Sequence, residues 1–268
     1  MTASSALSRF REEYGAHRAS EGRGYEVAEL RSLPYLQTGP LAKQWAVRAR
    51  TFDTFVTRVL RPATQTLGRP PRMLDLGAGN GWLSWRATHE GSTAVALDIR
   101  DDHIDGLGAA SGYSDGGTVG FERIVGTFEL LPLPPADFDL VVFNAAVHYA
   151  TDLAAALREA RRVLRRGGTL AILDSPFYTR DADGQAMVAE KHARATKEFG
   201  GRADALMGLA FIEYLTVERL AAASTGLGLA WRRHRVSYPL WYEVRPLMAR
   251  LRGRRTPSRF DLWVGTAA

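Results

Sequence analysis

Residues 73–87 read MLDLGAGNGWLSWRA, in which a single carboxylate, Asp75, stands ahead of three alternating glycines, Gly77, Gly79 and Gly81. Glycines spaced this way let the backbone turn tightly and approach a ligand with no side chain between. The spacing differs from the G-x-G-x-x-G that seats a pyrophosphate, and a carboxylate ahead of the turn opposes phosphate while favouring a cation. A cofactor with ammonium and sulfonium groups meets both conditions. Asp98, 23 residues beyond Asp75 at the end of VALDI, adds a carboxylate whose two oxygens suit the paired hydroxyls of a ribose.

At these residues, and in FDLVVFNAAVHY and LREARRVLRRGGTLAILD, the sequence resembles the class I (Rossmann-like) S-adenosylmethionine-dependent methyltransferase superfamily, especially its small-molecule branch. The resemblance covers about residues 70 to 175. It implies S-adenosylmethionine as cofactor and S-adenosylhomocysteine as product. By it, Asp75, Gly77, Gly79 and Gly81 line the methionine end, Asp98 the ribose, Ile99 one face of the adenine, and Asn144 the floor near the methionine portion. The pattern departs at one place. Relatives often carry an acid after the third strand that recognises the adenine amino group, whereas this chain has Thr127 followed by Phe128. Thr127 can accept a hydrogen bond there, and Phe128 can pack on the ring.

Methyl transfer from a sulfonium is an in-line displacement, so holding the acceptor in a dry site supplies much of the catalysis. A base is needed only where the acceptor must lose a proton. The candidates are His148 in NAAVHYA and Asp174 in AILDSPFY, with Tyr35, Trp45, Tyr149 and Tyr178 as pocket walls. Each base candidate has a plainer reading: His148 bracing the following helix, Asp174 satisfied by loop amides. The expected reaction is methylation of a small molecule at oxygen, nitrogen or carbon. An RNA methyltransferase is one alternative. A non-methylating S-adenosylmethionine binder, acting as a sensor or a rearrangement catalyst, is another.

These residues need a scaffold that brings strand ends together. From Arg72 onward short β-rich runs alternate with helical stretches, which predicts a doubly wound α/β fold around a mostly parallel seven-stranded sheet. The expected strands are residues 73–77, 93–99, 121–126, 138–144, 169–174, 229–238 and 259–265. Between the fourth and fifth, TDLAAALREARRVLRRGG has a helical apolar period, an N-capping Thr151 or Asp152 and a stop at Gly167-Gly168, with its arginines on a solvated face. Residues 1–70 read as an N-terminal helical lid and 71–268 as the catalytic domain, with a helical cap inserted at about 177–215. Both additions are placed to fold over the carboxyl ends of the strands.

Bulk properties narrow the classes. The absence of cysteine excludes disulfides, cysteine nucleophiles and thiolate metal sites. The net charge of +6 invites a nucleic-acid reading, but all but three of the 35 basic residues are arginine, a bias that G- and C-rich coding produces without a ligand. The arginines of RPLMARLRGRRTPSR can face a phosphate, a pyrophosphate or RNA, and their plainer reading is an exposed helix and loop. The acids Asp101, Asp102 and Asp105 beside His103 read as a solvated turn, so no metal is expected. The N-terminus has no signal-peptide core and no apolar run approaches a membrane span, so the expectation is a cytoplasmic protein acting on a small molecule, with neither nucleic acid nor membrane as partner.

Overall fold

The computed structural model describes residues 24–114, 116–199 and 209–268. Runs such as FDLVVFN are apolar at nearly every position because they are buried on both faces, and they form the centre of a seven-stranded sheet. The strands are β1 (Arg72–Leu76), β2 (Thr93–Asp98), β3 (Glu122–Val125), β4 (Phe138–Asn144), β5 (Leu164–Leu173), β6 (Leu229–His234) and β7 (Leu262–Ala267). Their order is β3-β2-β1-β4-β5-β7-β6, with β1 to β5 parallel and β7 antiparallel between β5 and β6.

The order reverses between β1 and β4, and a crevice opens beyond the carboxyl ends of strands at such a point. Register makes it level. Leu76 pairs with Leu97 on one side and Phe143 on the other. The next residue on each strand is therefore Gly77, Asp98 or Asn144, three of the expected site residues at one height.

The N-terminal segment comprises α1 (Val27–Ser32), α2 (Ala42–Phe55) and α3 (Arg61–Leu67), with a π-helical stretch, Val56–Leu60, joining the last two. Gly68, at φ 62°, ends α3 in the left-handed conformation that glycine adopts without penalty. Leu30, Leu33, Trp45, Phe52, Phe55 and Leu60 are buried in the same cluster as Met73, Leu83 and Ala96. These helices thus share the sheet's core, so the division drawn at residue 70 does not separate two cores among the described residues.

On the opposite face α5 (Leu153–Val163) behaves as its pattern requires: Leu153, Ala156, Leu157, Ala160 and Val163 are buried, and the Asp152 carboxylate accepts the Ala155 amide at 3.0 Å. Two features differ from expectation. The chain passes directly from Val163 into β5, and Gly167-Gly168 lie in an irregularity of that strand, where the pairing with β4 shifts between Phe138 and Leu140. Arg161 and Arg162 are half-exposed, and they also donate to the carbonyls of Leu227, Leu131 and Leu133. The remaining helices are α4 (Trp82–His89), α6 (Asp181–Phe199), α7 (Val217–Ala223), α8 (Leu240–Glu243) and α9 (Arg245–Leu251).

Candidate active site

The turn between β1 and α4 has little freedom to accept side chains. Gly77 has φ 73°, and a methyl group there would overlap the Cβ of Ala146, the second residue after β4. Gly81 has φ 77° and would bring a methyl to 2.7 Å from the Phe121 ring. The Gly77 and Ala78 amides both donate to the Leu97 carbonyl, at 2.8 and 3.0 Å, which ties the turn to the end of β2. Gly77, Ala78 and Gly79 form one wall of a cleft of about 370 Å³.

Asp98 closes the next part of that wall. Its Oδ2 accepts the Gly79 amide and its Oδ1 the Arg100 amide, each at 2.8 Å. Each carboxylate oxygen has a further lone pair, so both can still accept from ligand hydroxyls. Burial raises the Asp98 pKa, opposed by these two amides. Ile99, Thr127 and Phe128 continue the lining, with Phe128 braced edge-on against Phe143 at 5.5 Å. Glu129, which is not among the expected site residues, also lines the cleft. Its Oε1 accepts from the Thr151 amide at 2.9 Å and from the Thr151 hydroxyl at 3.3 Å.

Across from the glycine turn, Asn144 lies at the carboxyl end of β4. It is buried, and its Oδ1 has no hydrogen-bond partner among the described residues. A buried unpaired amide oxygen costs about 1–3 kcal/mol, a penalty that a ligand N–H would remove. The next residue, Ala145, has φ 53°, and Asp174, one past the end of β5, has φ 49°. Strained backbone at adjacent strand ends marks a site where the surroundings enforce geometry.

The far half of the cleft is aromatic. Trp45 and Trp82 meet edge-on at 5.6 Å, and Tyr149 meets Phe211 edge-on at 5.6 Å, with Leu209 beside them. Trp45 is fixed by its Nε1, which donates to the Tyr25 hydroxyl at 2.9 Å. Arg48, one helical turn after Trp45, places a cation in the lining and lies 4.9 Å from the Trp45 ring. Its signal was available in the sequence: residues three apart share a helix face.

The cleft therefore gathers Gly77, Gly79, Asp98, Ile99, Thr127, Phe128, Asn144, Trp45 and Tyr149. Six other candidates fall outside its lining. Asp75 is fully buried and points to α4, where the Ser84 hydroxyl donates to its Oδ2 at 3.0 Å; its Oδ1 has no partner among the described residues. Burial pushes its pKa up to about 7, against the Ser84 hydrogen bond and with added repulsion from Asp98. Gly81 serves packing against Phe121. His148 directs Nδ1 toward the Ser175 hydroxyl at 3.5 Å, with its ring beside Tyr149.

Asp174 is enclosed between α2 and the segment that leads to α8. Burial pushes its pKa up to about 6, against the pull of the Arg48 charge and the Thr51 hydroxyl. The Tyr35 hydroxyl is committed to Asp53 at 2.8 Å, and the Tyr178 hydroxyl accepts from Arg255 at 3.1 Å. Both are walls of other contacts. In the acidic turn, Asp102 holds Arg100 and the amides of Ile104 and Asp105, while Asp105 accepts from Asn80. No three acid or histidine side chains stand together as a metal set among the described residues.

The residues present fit a cofactor that ends in an amino acid and carries a ribose: hydroxyl acceptors at Asp98, an orphaned acceptor at Asn144, and a glycine wall between them. Comparisons with known proteins point the same way. Residues 74–172 match a family model described as a methyltransferase domain. A malonyl-acyl-carrier-protein O-methyltransferase from Methylococcus capsulatus is 42% identical over 160 residues, covering 53% of this chain and 57% of that protein. The ubiquinone/menaquinone biosynthesis C-methyltransferase UbiE of Methylobacterium nodulans is 30% identical over 158 residues, covering 58% and 56%. The chain thus spans little more than half the length of these relatives. The fold also matches magnesium protoporphyrin IX methyltransferase from Synechocystis PCC 6803, at a TM-score of 0.60 and 13% identity, over 98% of this chain and 100% of that one.

Proposed function

We propose that this chain, a member of the class I S-adenosylmethionine-dependent methyltransferase superfamily, methylates a small apolar molecule whose acceptor atom needs no base from the cleft. One observation carries this. The cleft joins a wall at Gly77, Asp98 and Asn144, suited to a ribose and an amino acid, to an aromatic half at Trp45, Trp82, Tyr149 and Phe211, and each acid in its lining already accepts a protein hydrogen bond. Asp98 holds two amides, Glu129 holds Thr151, and Asp105 holds Asn80. His148 and Asp174 lie outside the lining.

When bound, S-adenosylmethionine supplies an electrophilic methyl group. In the proposed arrangement Asp98 accepts from the ribose hydroxyls and Asn144 Oδ1 from the ammonium, while Ile99 and Phe128 flank the adenine. Trp45, Tyr149 and Phe211 exclude water and hold the acceptor in line. The N-terminal helices and the segment that carries Leu209 and Phe211 supply the acceptor walls, which supports a covering role for both. An acceptor that is already nucleophilic, such as a carboxylate, reacts by positioning alone, and Arg48 offers it a counter-charge. The names of the two relatives place their methyl transfer at oxygen and at carbon, so both classes belong in the test.

That test is release of S-adenosylhomocysteine from S-adenosylmethionine with panels of carboxylic acids, phenols and quinols. Turnover on a carboxylic acid supports the proposal, and turnover confined to phenols or quinols, which must lose a proton, overturns its base-free part. Binding of cofactor without turnover on any panel favours the sensor reading, and turnover on RNA alone overturns the small-molecule reading.

A further inference from the structure

Between Val244 and Arg259 the chain carries six arginines and no acid. Three of them are structural. Arg245 lies over the Tyr242 ring at 3.5 Å and donates to the Ser258 carbonyl, Arg255 binds Glu190 and the Tyr178 hydroxyl, and Arg259 binds Glu243 and Asp261. The other three, Arg250, Arg252 and Arg254, are exposed. None of their guanidinium groups has a hydrogen bond or ion pair with a described residue.

The same segment exposes apolar surface that the fold had means to bury. Tyr242 anchors α8 in the core, yet Leu240 is 78% and Trp241 44% exposed. No residue of α9 is buried, and Leu247 and Leu251, one turn apart on one face, are 58% and 72% exposed. Arg250, Arg254 and Arg180 flank Leu247 along an open groove. Large aliphatic groups left in water beside unpaired guanidinium groups mark an interaction face.

We propose that this face docks on an anionic lipid bilayer, with Leu240, Trp241, Leu247 and Leu251 at the acyl boundary and Arg250, Arg252 and Arg254 among the headgroup phosphates. Charge decides against a second copy of the chain, because a two-fold contact would set these arginines against their own counterparts. RNA would engage the arginines and leave the leucines in water. A folded acidic partner is a poorer match, since protein interfaces gather their apolar core away from charge. Here Arg250 and Arg252 sit on either side of Leu251 in sequence, one turn from Leu247. Arginine stems lie along apolar surface with their heads in the phosphate layer, which is the arrangement of helices that rest on membranes. No helix among the described residues is long and apolar enough to cross a membrane, and docking of this kind requires none.

The position is consistent with access to the cleft. Arg180 and Thr256 line the groove, and β7, which follows it, pairs its first residues with the carboxyl half of β5. The face therefore lies at the carboxyl edge of the sheet, where the cleft also opens. The docking itself does not depend on the proposed methyl transfer.

The test is co-sedimentation of the full chain with phosphatidylcholine vesicles with and without phosphatidylglycerol. Binding is expected to the anionic vesicles at low salt and to be released at high salt, as screening shortens the reach of the arginines. Neutralising Arg250, Arg252 and Arg254 to Gln should weaken binding by about a hundredfold, from about fivefold per charge near an anionic surface. The Leu247→Glu, Leu251→Glu pair should weaken it at least tenfold, while the melting temperature of both variants stays at the wild-type value because no altered side chain is buried. Should the leucine variant misfold, the arginine variant carries the test. No binding to anionic vesicles, equal binding by the arginine variant, or a two-chain particle in sedimentation that Leu247→Glu returns to one chain would each overturn the proposal.

Discussion

Asp98 Oδ2 accepts the Gly79 amide at 2.8 Å, so the carboxylate that ends β2 fastens the glycine turn that follows β1. The same group faces the cleft. Replacing it orphans two backbone donors, Gly79 N–H and Arg100 N–H, at about 1–3 kcal/mol for each that stays dry. Asp98→Ala should therefore lower the stability of the ligand-free protein as well as its affinity for cofactor. Chemical denaturation without ligand checks the first part; an unchanged midpoint would mean that water or the turn itself satisfies both amides.

Gly77→Ala tests the tight approach of the turn to the strand beside it. The added methyl meets Ala146 in the buried turn that follows β4, and the residue must also keep φ 73°. Left-handed backbone in a residue other than glycine costs about 1–3 kcal/mol. The variant should unfold at lower denaturant and bind S-adenosylhomocysteine at least tenfold more weakly. Wild-type values in both assays would show that the turn relaxes without cost.

Asp75 makes stability depend on pH in an unusual direction. Burial raises its pKa in the fold to about 7 from the 3.8 of a free side chain, so between these values the folded state holds a proton that the unfolded state releases. Stability is then greatest below the unfolded pKa and is lost as pH rises toward 7, by about 4 kcal/mol in all at 1.36 kcal/mol per unit. Asp174, raised to about 6, acts with the same sign over a narrower window. Melting temperatures of wild type and Asp75→Asn should diverge in favour of the variant between pH 4 and pH 7. Parallel curves would show that Asp75 is not protonated in the fold.

Tyr149 and His148 are neighbours with different expected roles. Tyr149 faces the cleft against Phe211, whereas His148 turns to Ser175. With an acceptor found by S-adenosylhomocysteine release, Tyr149→Ala should raise KM for the acceptor by at least about tenfold, the effect of losing about one methylene's worth of apolar contact. His148→Gln should leave both constants within about threefold, and a larger loss that tracks a titration near neutral pH would restore His148 as a base.

The sheet was legible because its central strands, such as β4, are apolar at nearly every position and its turns are rich in glycine, and the main wall of the cleft followed from the alternation of Gly77 and Gly79 with Asp98 one strand later. Side-chain direction was harder to read. Asp75 shares its face of β1 with Met73, which packs with the N-terminal helices, so its carboxylate turns to Ser84 and not toward the cleft. Tyr35 and Tyr178 read as pocket walls because aromatic type says nothing of partners such as Asp53 or Arg255 that lie far along the chain. Glu129 was hidden because it stands two residues past Thr127, the first residue after the expected strand. Gly167-Gly168 misled because a glycine pair serves a strand irregularity as well as a helix end.

The central claim is that the cleft formed by Gly77, Asp98 and Asn144 holds S-adenosylmethionine. Calorimetric titration of S-adenosylhomocysteine into wild type, Asp98→Ala and Asn144→Leu, with NAD as a control, measures it directly. Saturable binding to wild type, weakened by about one to three powers of ten in Asp98→Ala and by about tenfold or more in Asn144→Leu, with no heat from NAD, is the predicted result. Binding of NAD in place of S-adenosylhomocysteine, or wild-type affinity in both folded variants, would contradict it.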